Sequence, residues 1–143
     1  MIYFLGLISF LILVFISIIH LYWSVGGKWA FKEVIPTKIN GEEVMNPKWI
    51  DSLFVGVFLL IIAILYAVKI NLFKTDLIPS WLLNYGLYVV GGVFILRAVG
   101  DFKYVGFFKK IKQTKFGVND SKYFSPLCLF LGVVGILIEV CYV

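Results

Sequence analysis

Four long apolar runs constrain this chain more than any other feature. They fall at about 2–23, 51–70, 80–98 and 124–142, and each approaches the ~20 apolar residues that carry a helix across a bilayer. Ile2 to Ile19 is free of charge, as is Leu53 to Val68. The runs are continuous rather than alternating, which argues against lipid-facing strands. Composition agrees, because 62% apolar and 15% charged residues leave too little charge to cover a water-soluble surface. The expected fold is all-α: one four-helix transmembrane bundle over residues 1–143, with a short cytoplasmic amphipathic, interfacial helix between helices 3 and 4. The clean spans are short, so Lys69 and similar side chains are expected to snorkel at their ends.

The first run has no basic residue before it and no small-x-small pattern after it, so it is expected to be a retained helix rather than a cleaved signal. Gly26 and Gly27 release the chain from helix, and Asn40-Gly41 is a strong turn dipeptide in the polar connection that follows. Asn46 with Pro47, and Pro79 with Ser80, mark the starts of the second and third helices. Gly132 and Gly135 offer a thin face on the fourth, although no two glycines in the chain are four apart, so the Gly-x-x-x-Gly pattern is absent. Cys128 and Cys141 would stand roughly 20 Å apart along one helix, beyond disulfide reach.

Charge orients the bundle. Lys28, Lys32, Lys38 and Lys48 lie in the first loop, and Arg97, Lys103, Lys109, Lys110, Lys112, Lys115 and Lys122 in or beside the third, eleven in all against Lys69 and Lys74 on the other side. Positive-inside bias then places loops 1 and 3 in the cytoplasm and both termini outside, in a multi-pass protein of the bacterial cytoplasmic membrane. A net charge of +5 concentrated at membrane boundaries reads as orientation, with membrane lipids, anionic ones included, as partners and nucleic acid excluded.

The polar residues with chemical potential converge on that cytoplasmic end. Arg97 and Asp101, four apart, would share a helix face; they would form either an interfacial salt bridge or, with Arg97 turned inward, a site for a phosphate or carboxylate. His20, Tyr22 and Tyr104 would complete such a ligand site. The alternative use of His20 is as an acid or base positioned by Asp101 or Asp120, against the plainer reading of a hydrogen-bonded packing histidine. The three lack metal-ligand spacing, so neither a metal nor another cofactor is expected. Trp23, Trp29 and Trp49 suit an interfacial belt. Tyr104, Phe107, Phe108 and Ile111 recur at helical spacing among Lys103, Lys109 and Lys110, the pattern from which the surface helix is expected.

The strings HLYWSVGGKW (20–29), RAVGDFKYVGFFKK (97–110) and TKFGVNDSKYFSPLCLFLG (114–132) together resemble a family of small bacterial integral membrane proteins, domain of unknown function 3995. Its characteristic residues resemble His20, Tyr22, Trp23, Gly26, Gly27, Arg97, Gly100, Asp101, Phe102, Gly106, Phe107, Asp120, Tyr123 and Pro126. The resemblance implies a four-helix membrane protein and brings no activity with it. The leading functional expectation is therefore a protein holding an amphipathic or anionic, lipid-like ligand at the cytoplasmic mouth. A membrane enzyme using His20, a dimeric transporter in which Asn84 and Glu139 share a path with Arg97, and an assembly or immunity subunit acting on a membrane partner are the alternatives.

Overall fold

The computed structural model of the protein describes residues 1–142. Its long helices are α1 (Ile2–Ser24), α2 (Trp49–Lys69) and α3 (Ser80–Val99), followed by a final helical stretch. That stretch is continuous over Lys115–Cys141: α4 (Lys115–Asn119), a π-helical turn (Asp120–Phe124) and α5 (Ser125–Cys141). At about 1.5 Å per residue the four spans are roughly 30–40 Å long, enough to cross a hydrocarbon core. The protein is a multi-pass, all-α membrane bundle.

The expected starts hold for α3, which opens immediately after Pro79. The second helix begins two residues before the expected position, at Trp49, where the Asp51 carboxylate accepts the Lys48 amide at 2.7 Å and satisfies one of the donors left free at a helix start. The fourth begins nine residues early, so Asp120, expected ahead of the helix, lies inside it. In the first connection, Thr37 and Glu43 bridge across a turn at Gly41, whose φ is +87°.

Two antiparallel pairs make the bundle. In α1 the buried Gly6, Ser9, Leu13 and Ser17 form a narrow stripe at helical spacing, against which α2 closes until the Ser17 hydroxyl donates to the Gly56 carbonyl at 2.7 Å. In the second pair α3 meets α5 backbone to backbone. A Cβ placed on Gly91 would stand 2.8 Å from the Gly132 carbonyl oxygen, and one on Gly132 at 2.8 Å from that of Gly91. The two glycines touch across helices, so close approach arises without a four-residue repeat on either one. Tyr66, fully buried, joins the pairs by donating its hydroxyl to the Leu131 carbonyl at 2.7 Å.

Gly132→Ala is expected to cost about 1–3 kcal/mol, the usual range for overpacking, because its methyl meets main chain that cannot rotate away. Gly92→Ala is the matched control. Nothing lies within 4 Å of its Cβ position, so the change should be neutral or stabilising by up to about 1 kcal/mol. Denaturant unfolding in detergent separates the two.

Candidate functional site

Asp120 is the hub of the basic end. The π-helical turn widens the helix by one residue, a device that often accompanies functional positions, and here it carries a carboxylate that is 0% exposed. Oδ1 accepts from Arg97 Nη2 at 2.8 Å. Oδ2 accepts from the Gly106 amide at 2.8 Å, Lys109 Nζ at 3.0 Å and Ser125 Oγ at 3.1 Å. Lys109 Nζ also donates to the Gly106 carbonyl at 2.9 Å and to Ser121 Oγ at 2.6 Å. One carboxylate thus faces two cations in a setting where Lys109 is 0% and the Arg97 side chain 34% exposed. The second terminal nitrogen of Arg97, Nη1, is buried with no partner.

The segment between α3 and the final helix is a loop, which corrects the expected amphipathic surface helix. Gly100 ends α3 at φ +89°, and Phe102 and Gly106 also take positive φ, a backbone that no α-helix can continue. Asp101 Oδ1 then accepts the amides of Lys103, Tyr104 and Val105 at 2.8–2.9 Å. Burial pushes its carboxyl up, but the amides of Val105, Lys103 and Tyr104 outweigh this and hold it below the ordinary aspartate value. The glycines sit back to back: a Cβ on Gly100 would lie 2.6 Å from the Gly106 Cα. The apolar spacing that suggested a helix is therefore the wrong period to read here, because local side-chain capping and left-handed glycines compete with helix and win.

This loop redistributes the expected site. Arg97 and Asp101 do not form the i, i+4 pair, because the helix stops between them; Asp101 organises its own loop and Arg97 pairs with Asp120. Lys109, expected at the interface with Phe107, Phe108 and Lys110, is instead buried in the Asp120 cluster, while those three remain exposed. Tyr104 is half-buried, with the Lys103 ammonium 5.2 Å from its ring centre.

At the end of α1, His20 packs its ring edgewise on Trp23 at 4.8 Å, and its buried Nδ1 has no hydrogen-bond partner. Trp23 is fixed by Phe31 on another side and by donation of Nε1 to the Trp29 carbonyl at 2.8 Å. Tyr22, Trp29 and Trp49 are exposed. Beside Trp23 a cleft of about 320 Å³ opens toward the π-helical turn.

The opposite end carries a second ionic group. Lys69 Nζ donates to Glu139 Oε1 at 2.7 Å and to the Leu83 carbonyl at 2.8 Å, and Glu139 Oε2 accepts the Leu87 amide at 3.2 Å. Leu83 and Leu87 are the two residues an unbroken helix would pair with each other, so the ion pair joins α2 and α5 through the backbone of α3. Asn84 is exposed while Glu139 is fully buried. The two therefore do not line a common path with Arg97. Among the described residues no three His, Cys, Asp or Glu side chains gather closely enough to hold a metal ion.

Sequence reading alone missed Lys109, Ser121, Ser125 and Lys69 as members of these groups. The signal for Lys69 was present, since it and Glu139 are the ionisable residues closest to the interior at the same end of the bundle. Nothing local distinguishes Lys109 from Lys110.

No curated protein and no solved structure matches the chain. The model of one family, described as a protein of unknown function (DUF3995), matches residues 13–135. That match includes His20, Arg97, the Gly100–Gly106 loop and Asp120, the residues that build the basic end, and on it the chain belongs to the DUF3995 family.

Proposed function

We propose that the protein is a membrane-embedded binding protein for an anionic, lipid-like molecule, whose head group is held at the Arg97 end of the bundle on the cytoplasmic side. The observation that carries this is the excess of one positive charge in the Arg97, Lys109 and Asp120 group, of which Lys109 and Asp120 are buried and Arg97 half-buried, with Arg97 Nη1 itself buried and without a partner. An unpaired, desolvated guanidinium N–H is costly, and a phosphate or carboxylate oxygen would satisfy both the hydrogen bond and the charge. Asp120 orients Arg97, while Lys109 and the Gly106 amide hold Asp120. Cytoplasmic placement rests on the lysine asymmetry between loops.

The arrangement favours holding an anion over moving a proton. Asp120 has all its donors in place, and Asp101 spends its carboxylate on loop amides.

Native mass spectrometry of the detergent-extracted protein tests the proposal. The wild type is expected to retain an anionic lipid, and Arg97→Gln to bind it about 10–100-fold more weakly, the value of one charged hydrogen bond. Circular dichroism checks that the variant keeps its helices. Equal retention by folded Arg97→Gln, or a wild type carrying no such molecule, refutes it.

A further inference from the structure

The two helix pairs are tied together unevenly. Within the bundle, Tyr66 and Lys69 of α2 reach across to α3 and α5, toward the end that carries the Lys69–Glu139 pair. At the basic end the seam instead opens into the cleft of about 320 Å³, walled by Ile19, Trp23 and Val34 on one side and Asn119, Tyr123 and Phe124 on the other. The π-helical turn divides its faces between the two features, Asp120 toward the charge cluster and Tyr123 and Phe124 toward the cleft.

Its walls are mostly apolar, with Glu33 as their one charged residue, and the segments that wall it are rich in lysine. Glu33, on the rim, accepts from Lys115 Nζ at 2.7 Å across the seam, and Lys122 Nζ stands 5.1 Å from the centre of the Tyr123 ring. Lys28 and Lys32, both exposed, adjoin Trp29 and Glu33 in the chain. The walling segments thus carry four lysines, none of them in the cleft wall itself, and Lys115 offsets the wall's one carboxylate, Glu33. The volume is at the low end of small-molecule sites, too small for a partner helix ~10 Å across. A second apolar hollow of about 360 Å³, between Ile61, Leu65, Phe73 and Leu82 at the other end, has no charged residue in its wall and so offers nothing to an amphiphile's head.

We infer that the basic-end cleft holds the acyl chain of an anionic lipid, with the chain against Trp23 and Phe124 and the head group among Lys115, Lys122 and their neighbours. The Trp23 wall is preorganised, since its ring is held by His20, Phe31 and the Trp29 carbonyl, so little side-chain freedom is lost on binding. The inference rests on the reading above for its ligand class and not for its residues.

Trp23 is only 7% exposed, which makes it a selective reporter. With Trp29, Trp49 and Trp81 changed to Phe, Trp23 is the one tryptophan left, and bulk lipid reaches it poorly. In nanodiscs, phosphatidylglycerol brominated on its chains is expected to quench Trp23 at a lower mole fraction than brominated phosphatidylcholine. Lys115→Gln with Lys122→Gln should reduce that preference by about fivefold per lysine, and Val34→Phe should cut quenching by filling the cleft. Absent quenching, or equal quenching by both lipids, overturns the inference. Selective quenching that survives Arg97→Gln supports the cleft even if the Arg97 reading fails. Loss of the bound lipid in Arg97→Gln with no selective quenching leaves that reading standing and overturns this one. Should the single-tryptophan protein lose helicity, the wild type and Val34→Phe are compared by lipid retained in native mass spectrometry, where equal retention overturns it.

Discussion

Asp120→Asn is expected to destabilise the protein by about 3–5 kcal/mol, the cost of breaking a buried ion pair from one side. The amide has nearly the volume of the carboxylate, so packing is preserved and the charge is the variable. Lys109, 0% exposed, would keep the Gly106 carbonyl and Ser121 Oγ as acceptors but lose its only anion, and Arg97 would lose its partner as well. The Asn amide would also present two donors where only donors now point. Denaturant unfolding in detergent measures the loss. Adding Lys109→Met to Asp120→Asn should recover part of it, because the stranded cation goes too. A double variant no more stable than Asp120→Asn alone would show that electrostatics is not what Asp120 supplies.

The second large effect is at the other end and is asymmetric. Lys69→Met leaves Glu139 fully buried with the Leu87 amide as its remaining donor and the Leu83 carbonyl deprived of its ammonium, again about 3–5 kcal/mol. Glu139→Gln should cost less, about 1.5–3 kcal/mol, because Lys69 is the last residue of α2 and can turn its ammonium toward the interface once released. Lys69→Met with Glu139→Leu, which removes both charges, should be more stable than Lys69→Met alone. Equal costs for the two single variants would mean that Lys69 is as confined as Glu139 and that snorkelling is not available to it. Both experiments follow from ionisable groups inside a membrane bundle being tolerable only when paired.

How legible these features were differed with the range over which each is decided. Membrane crossing and helix count are properties of the runs themselves, since a backbone in lipid must satisfy its own hydrogen bonds and does so as helix wherever about twenty apolar residues follow one another. The concentration of lysines at one end is equally local. The 100–111 loop was readable in principle from Gly100-Asp101 and Gly106, whose backbone demands outrank a Tyr-Phe-Phe-Ile stripe, but helical spacing was the more visible cue. The early start of the fourth helix was hidden because Thr114 to Lys122 is polar: its Thr114 cap, which accepts the Gly117 amide at 3.0 Å, stands outside the apolar run used to place the span.

The amino-acid sequence by itself determined four crossings, a strongly basic end and an opposite end with few charges, and the set of charged residues gathered at each, because these depend only on composition along the chain. Tertiary structure alone decided that Arg97 would turn from its neighbour Asp101 to Asp120, that Lys109 and not Lys110 would be buried, and that Gly91 would meet Gly132. Those choices depend on how each helix is rotated about its axis and where a loop reverses. On helices apolar nearly all round, rotation is set by the fit of small residues and paired charges on other segments, which no single stretch of chain contains.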